Sequence, residues 1–96
     1  MKYLLSWKNR DASHQSERES LAAFQKWTPE GNFLQFLGRI DGEGGFAVIE
    51  TDNPLDVLRD TSKFTPWLEF TAYPVVDIQE FAQVGGEAIE FREAIS

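Results

Sequence analysis

Five polar residues fall within strand-like segments, where alternation fixes the side on which each stands: Gln35, Arg39, Glu50, Glu69 and Tyr73. An arginine guanidinium holds a carboxylate through two parallel hydrogen bonds, so Arg39 suits either Glu69 or a ligand carboxylate. A tyrosine hydroxyl can donate to a developing enolate, and a carboxylate serves as base where burial raises its pKa. The catalytic candidates are therefore Tyr73, Arg39, Glu69 and Glu50. The ligand-binding candidates are Gln35, Arg39, Tyr73 and Trp67, with Trp7, Trp67 and Phe33 as an aromatic wall for a flat molecule. The plainer reading is a network of polar groups paired with one another in a subunit contact. It is favoured because no base–nucleophile pair can be read from the spacing.

Other chemistry has less to stand on. His14 is the only histidine and there is no cysteine. A haem axial ligand or a His/Cys metal set is not expected. His14 reads as an exposed residue at a helix start. The run Asp41-Gly42-Glu43-Gly44-Gly45 lacks the spaced ligands of a calcium loop. It also lacks the Lys and Ser/Thr of a phosphate-binding loop, so it reads as a hairpin turn. No metal and no cofactor are expected.

The elements that must position these residues follow from periodicity and punctuation. Lys2–Trp7 is a first strand. Leu21, Phe24 and Trp27 recur at three-residue spacing on a helix from His14 to Trp27, with Ser13 or Asp11 as cap. Residues 33–40 and 46–51 make a hairpin about the glycine-rich turn. Asp52-Asn53-Pro54 starts a second helix reaching Lys63. Residues 67–76 alternate as a fourth strand, and Pro74 places it at a sheet edge. Asp77 caps a third helix, Ile78 to Ile95, in which Gly85-Gly86 predicts a kink or a close neighbour. The order β-α-β-β-α-β-α predicts an α+β fold. It is a ferredoxin-like plait with an added C-terminal helix, in one domain over residues 1–96.

Composition limits the partners. Nine basic against sixteen acidic residues give a net charge of −7, unsuited to nucleic acid or an anionic membrane surface. The acidity is uneven: residues 1–30 sum to +1, residues 77–96 to −4. A hydrophobic fraction of 42% rules out a disordered chain. No apolar run approaches the roughly 18–20 residues of a membrane span. The opening residues are too short in apolar length for a signal-peptide core of about 7–15. A cytoplasmic location is expected.

Two helices cover one face of such a plait. Alternation assigns Phe33, Gln35, Leu37, Arg39, Trp67, Glu69, Thr71, Tyr73 and Val75 to the open face, and Leu34, Phe36, Ile40, Leu68, Phe70, Ala72 and Val76 to the helix side. The first and third strands are ambiguous. A face so apolar calls for cover, and a two-fold homodimer supplies it. The alternative is that the C-terminal helix folds back over its own sheet.

The run Gly38–Thr51, with Lys63-Phe64-Thr65-Pro66, Pro74-Val75-Val76-Asp77, Glu87–Arg92 and the Lys2–Trp7 opening, resembles a small domain-of-unknown-function family of bacteria, cyanobacteria among them, and their phages. More distantly the pattern is similar to the dimeric α/β-barrel superfamily of cofactor-free monooxygenases, haem-degrading enzymes, isomerases and cyclases. The resemblance implies a plait paired face to face and brings no catalytic residues. The function expected is a homodimeric small-ligand-binding or protein-interaction module without catalysis. The alternative is a cofactor-independent monooxygenase-, isomerase- or cyclase-like enzyme with its site between sheet and helices.

Overall fold

A computed structural model describes residues 1–96. The elements are β1 (Lys2–Asn9), α1 (His14–Lys26), β2 (Asn32–Gly38), β3 (Gly44–Glu50), α2 (Pro54–Ser62), β4 (Leu68–Val75) and α3 (Ile78–Ala94). The strands form one antiparallel sheet in the order β2-β3-β1-β4. This α+β arrangement of four strands and three helices is consistent with a ferredoxin-like plait. β4 is an edge strand, as Pro74 requires. No helix is long and apolar enough to cross a membrane.

Local chemistry sets the element ends. The Ser13 hydroxyl accepts from the Ser16 N–H at 3.1 Å, starting α1. Asn53 accepts from the Leu55 N–H at 3.1 Å, with Pro54 in the first turn of α2. Asp77 stands before α3 but its side chain does not cap the helix. It takes the Lys2 ammonium at 3.0 Å instead, and that hydrogen bond raises the Lys2 pKa. Between β2 and β3, Gly42 adopts φ +74°, the left-handed region that favours glycine. A Cβ at Gly45 would lie 2.4 Å from the Leu37 carbonyl oxygen, so the hairpin admits no side chain there.

Register settles which side chains share a face. Tyr3, Leu5 and Trp7 stand opposite Ile49, Ala47 and Gly45 on one side of β1, and opposite Pro74, Ala72 and Phe70 on the other. These residues face the helices, and Tyr3, Leu5, Ala47 and Ile49 form the buried core with Val57 of α2. The open face carries Leu4, Ser6, Phe46, Val48, Thr71, Tyr73 and Val75, with Lys2 opposite Glu50 and Lys8 opposite Glu69. Gln35 and Leu37 join them through pairing with Val48 and Phe46.

Three expected open-face residues lie elsewhere. A β-bulge between Phe33 and Gln35 resets the alternation, so Phe33 pairs with Ile49 on the helix side. Arg39 falls beyond the end of β2, in the hairpin turn. Trp67 precedes β4, and its indole N–H donates to Glu19 of α1 at 3.0 Å. Among the residues expected beneath the helices, Leu34 sits in the bulge and is exposed. Ile40 lies wholly in solvent at the turn, and Val76 is exposed after β4.

Only 10 of 96 residues are buried, so the core is thin. The chain measures 61 × 28 × 18 Å with a radius of gyration of 17.7 Å, against about 12–13 Å for a compact chain of this length. α3 accounts for the elongation: none of its residues is buried. That excludes its folding back over its own sheet. Gly85 and Gly86 do not break the helix, which runs from Ile78 to Ala94.

Candidate functional site

The bulge in β2 has a consequence on the helix side. Regular alternation would put Phe33 and Phe36 on opposite faces. With one extra residue between them they stack in parallel, ring centroids 4.6 Å apart. Trp27, at the end of α1, meets Phe33 edge-on at 5.0 Å and Phe64 at 5.2 Å. Phe24 and Trp7 approach the edge of the same group, 6.0 and 6.4 Å from Phe36. T-shaped and offset pairs of this kind add about 0.5–1.5 kcal/mol each beyond area burial.

These rings do not fill the space between α1 and the sheet. They line an open cleft of about 560 Å³ that reaches the β2 edge at Leu37 and Gly38. The volume lies in the range of small-molecule sites. Leu21, Phe24 and Phe36 remain exposed along it. Its polar groups are few: Asn9, Glu17, Ser20, Asp60 and Thr61. Asn9 donates to the Gly42 carbonyl, Ser20 to the Glu17 carbonyl and Thr61 to the Leu58 carbonyl. The Glu17 carboxylate and the Ser20 hydroxyl oxygen therefore offer acceptors to a ligand.

One polar group underpins the floor of the cleft. Asp60, on α2, is 1% exposed. Its Oδ1 accepts from the Trp27 indole N–H at 3.1 Å and the Glu30 N–H at 2.9 Å, and its Oδ2 from the Gly31 N–H at 2.9 Å. The Lys63 ammonium stands 4.0 Å away. This carboxylate ties α2 to the turn between α1 and β2 and fixes the Trp27 ring. Gly31 is held on its other side by the core: a Cβ there would lie 2.7 Å from the Ile49 side chain but 3.5 Å, an ordinary contact, from Asp60 Oδ2. The sequence reading missed Asp60, and its one available signal was the conjunction of Trp27 with Gly31.

The residues singled out from the sequence are not brought together. Gln35, Glu50, Glu69 and Tyr73 stand on the open face, across the sheet from the cleft. Arg39 pairs with Asp41 in the hairpin turn. The Glu43 N–H, and then Arg39, hold the Asp41 carboxyl below its ordinary pKa. Trp67 and Gln15 do the same for Glu19 by hydrogen bonding. None of these six borders the cleft, whereas Trp7 and Phe33 of the expected aromatic wall do. His14 is the exposed first residue of α1. No three His, Asp or Glu side chains gather as a metal-ligand set.

What the cleft can do follows from this lining. It can sequester a flat, mostly apolar molecule by stacking and burial. It presents a carboxylate and a hydroxyl for one donor on that molecule, and no paired nucleophile and base. Comparison with known proteins agrees in extent with the resemblance drawn from the sequence. No curated protein matches the chain significantly. The sequence model described as Domain of unknown function (DUF3303) matches residues 1–89, so the chain belongs to that family.

Proposed function

We propose that this protein is a homodimeric binding module that takes a flat, largely apolar small molecule into the aromatic cleft and does no chemistry on it. One observation carries the reading. A cleft of about 560 Å³ lies open beside stacked and edge-on aromatic rings, and its floor is held by a fully hydrogen-bonded Asp60. Pre-organised rings lose little entropy when they receive a ring. The ligand class is an aromatic or polycyclic molecule with one hydroxyl or amine directed at Glu17 or Ser20.

The dimer belongs to the same reading. Leu4, Phe46, Val48, Leu37 and Tyr73 form an apolar centre on the open face, bordered by the Lys2/Glu50 and Lys8/Glu69 pairs. The chain exposes 7138 Å², roughly 1,500 Å² more than a compact monomer of its mass. That excess exceeds the ~800 Å² each partner commonly buries in a stable interface. Two copies pressed together by their open faces make the dimeric α/β barrel that the fold and the resemblance suggest. A cytoplasmic, bacterial or phage setting goes with this reading, and the absence of cysteine suits it.

The test is titration with 2-naphthol, read as quenching of Trp7 and Trp27 fluorescence. Saturable quenching is expected, with the Phe36→Ala dissociation constant about tenfold higher, or ~1.4 kcal/mol. Linear, unsaturable quenching that Phe36→Ala leaves unchanged would remove the ligand reading. Tyr73 and Arg39 supply the contrast. If the protein were a cofactor-independent enzyme using them, Tyr73→Phe would alter turnover of bound ligand; here it leaves naphthol binding as it is.

A further inference from the structure

α3 has no place in this account, and its sequence is not that of a solvated helix. At 100° per residue, Ile78, Phe81, Val84, Ala88, Ile89 and Phe91 fall in one half of its circumference, and Glu80, Glu87, Glu90 and Glu93 in the other. Every one of those apolar side chains but Ala88 is exposed. Most of a protein helix's stability comes from packing its apolar face, and α3 with two glycines has little propensity to offset the lack of it. Gly85 lies near the middle of that apolar half, where a Cβ would meet nothing of this chain within 4 Å. No contact inside the chain requires glycine at Gly85 or at its neighbour Gly86; at Gly85, on the apolar half, glycine would let a second copy approach closely.

Topology indicates which surface. α3 leaves from β4, one edge of the sheet, and the aromatic cleft reaches β2, the other edge, at Leu37 and Gly38. A two-fold axis along the strands, between two facing sheets, stacks each β4 over the partner's β2. That axis keeps position along the strands, and Val75 is level with Asn32 through Lys2 and Glu50. Each α3 then starts at the Asn32 end of the other copy's β2 and can run along that strand toward the mouth at Leu37 and Gly38. The excess exposed area is also more than sheet-to-sheet contact alone requires.

We infer that α3 of each copy crosses to the other and closes its aromatic cleft, the apolar half of the helix against Leu21, Phe24 and Phe36 and the acidic half outward. Each ligand site is then complete only in the dimer. This inference rests on the dimer and the cleft proposed above.

The chain has no cysteine, so an introduced pair reports without background. The Leu21→Cys/Ile89→Cys protein is oxidised mildly at micromolar concentration and run on a denaturing, non-reducing gel, while reduced protein is sedimented in parallel. A cross-linked dimer is expected, and an equimolar mixture of the two single variants gives the mixed dimer. Leu21→Cys with Glu87→Cys, on the acidic half, gives at least tenfold less. A sedimenting dimer without the cross-link overturns the crossing and leaves the dimer standing. A disulfide within one chain overturns it by placing α3 on its own cleft. A monomer in sedimentation removes the dimer and the crossing together. As a second measurement, Phe81→Glu/Ile89→Glu weakens 2-naphthol binding about tenfold while the sheet's circular dichroism is unchanged. Unaltered affinity in that folded variant overturns the closing role.

Discussion

Two regions of this small chain have opposite relations to water. At the Asp60 corner, one carboxylate meets three N–H donors, with an ammonium nearby, and is almost wholly enclosed. Along α3, an apolar half-surface lies bare. The corner is satisfied within one copy, because a buried charge without partners would cost more than the fold can bear. The arm is not, because apolar surface in water costs less per side chain and can await a second copy. Stability of the single chain resides in the corner; in the dimer proposed above, assembly would reside in the arm and the open sheet face.

The largest effect should come from the corner. Asp60→Ala orphans the Trp27, Glu30 and Gly31 N–H groups together and should destabilise the fold by about 3–5 kcal/mol, read as a fall in the urea midpoint. A midpoint within error of the parent would mean that water replaces the carboxylate and that the corner is not the anchor described. Asp60→Asn keeps one acceptor and should cost less. Gly31→Ala adds a methyl 2.7 Å from the Ile49 side chain and should cost about 1–3 kcal/mol through overpacking. It sharpens the comparison because Gly85→Ala, on the arm, meets nothing in its own chain. In the single chain it should be neutral or slightly stabilising through helix propensity, whatever it does to association.

The open face comes next. Val48 lies between Leu4 and Gln35 across the centre of the sheet. Val48→Glu should raise the dimer dissociation constant about a hundredfold, or ~2.8 kcal/mol, by setting an unpaired charge in the contact. Sedimentation across a concentration series measures it. Association unchanged by Val48→Glu would shift the interface off the sheet and leave the arm to hold the copies together.

How far the sequence reaches is clear from the residues that moved. The seven elements were legible because Leu21, Phe24 and Trp27 keep helical spacing and the strands alternate between Gly and Pro punctuation. Tyr73 and Glu69 fell on the expected face because β4 runs regularly around them, and Gln35 because alternation resumes with it after the β2 bulge. Phe33 did not, since a bulge carries no residue-type signature and shifts every parity assignment before it. Arg39 failed because pairing stops at Gly38, and strand ends are not marked sharply by composition. Trp67 failed for the same reason at the start of β4. The cleft was hidden because its walls, Trp7, Phe24, Trp27 and Phe36, have the composition of a packed core. Whether α1 lies tight or stands open is a matter of backbone placement. Asp60 carried no signal of its own in the sequence, since two of its three donors are backbone N–H groups of a distant turn.

The smallest effect tests the tie between the edge strand and α1. The Trp67 indole and the Gln15 amide donate to Glu19 and hold its carboxyl below its ordinary pKa. A depressed carboxylate contributes stability above its unfolded pKa and loses it as pH falls through the folded value. The contribution is therefore present at neutral pH and absent at strongly acid pH. Trp67→Phe removes the larger donor, so the Glu19 titration observed by carboxyl NMR should move up toward the ordinary value. The acid-side loss of stability should shrink in step. The Glu19 carboxylate is in water and Trp67 is only half-buried, so the change in stability at neutral pH should be slight. Because Trp67 turns toward α1 and away from the open face, dimer formation should not respond to Trp67→Phe. If it did, the contact would extend around the β4 edge onto the helix layer.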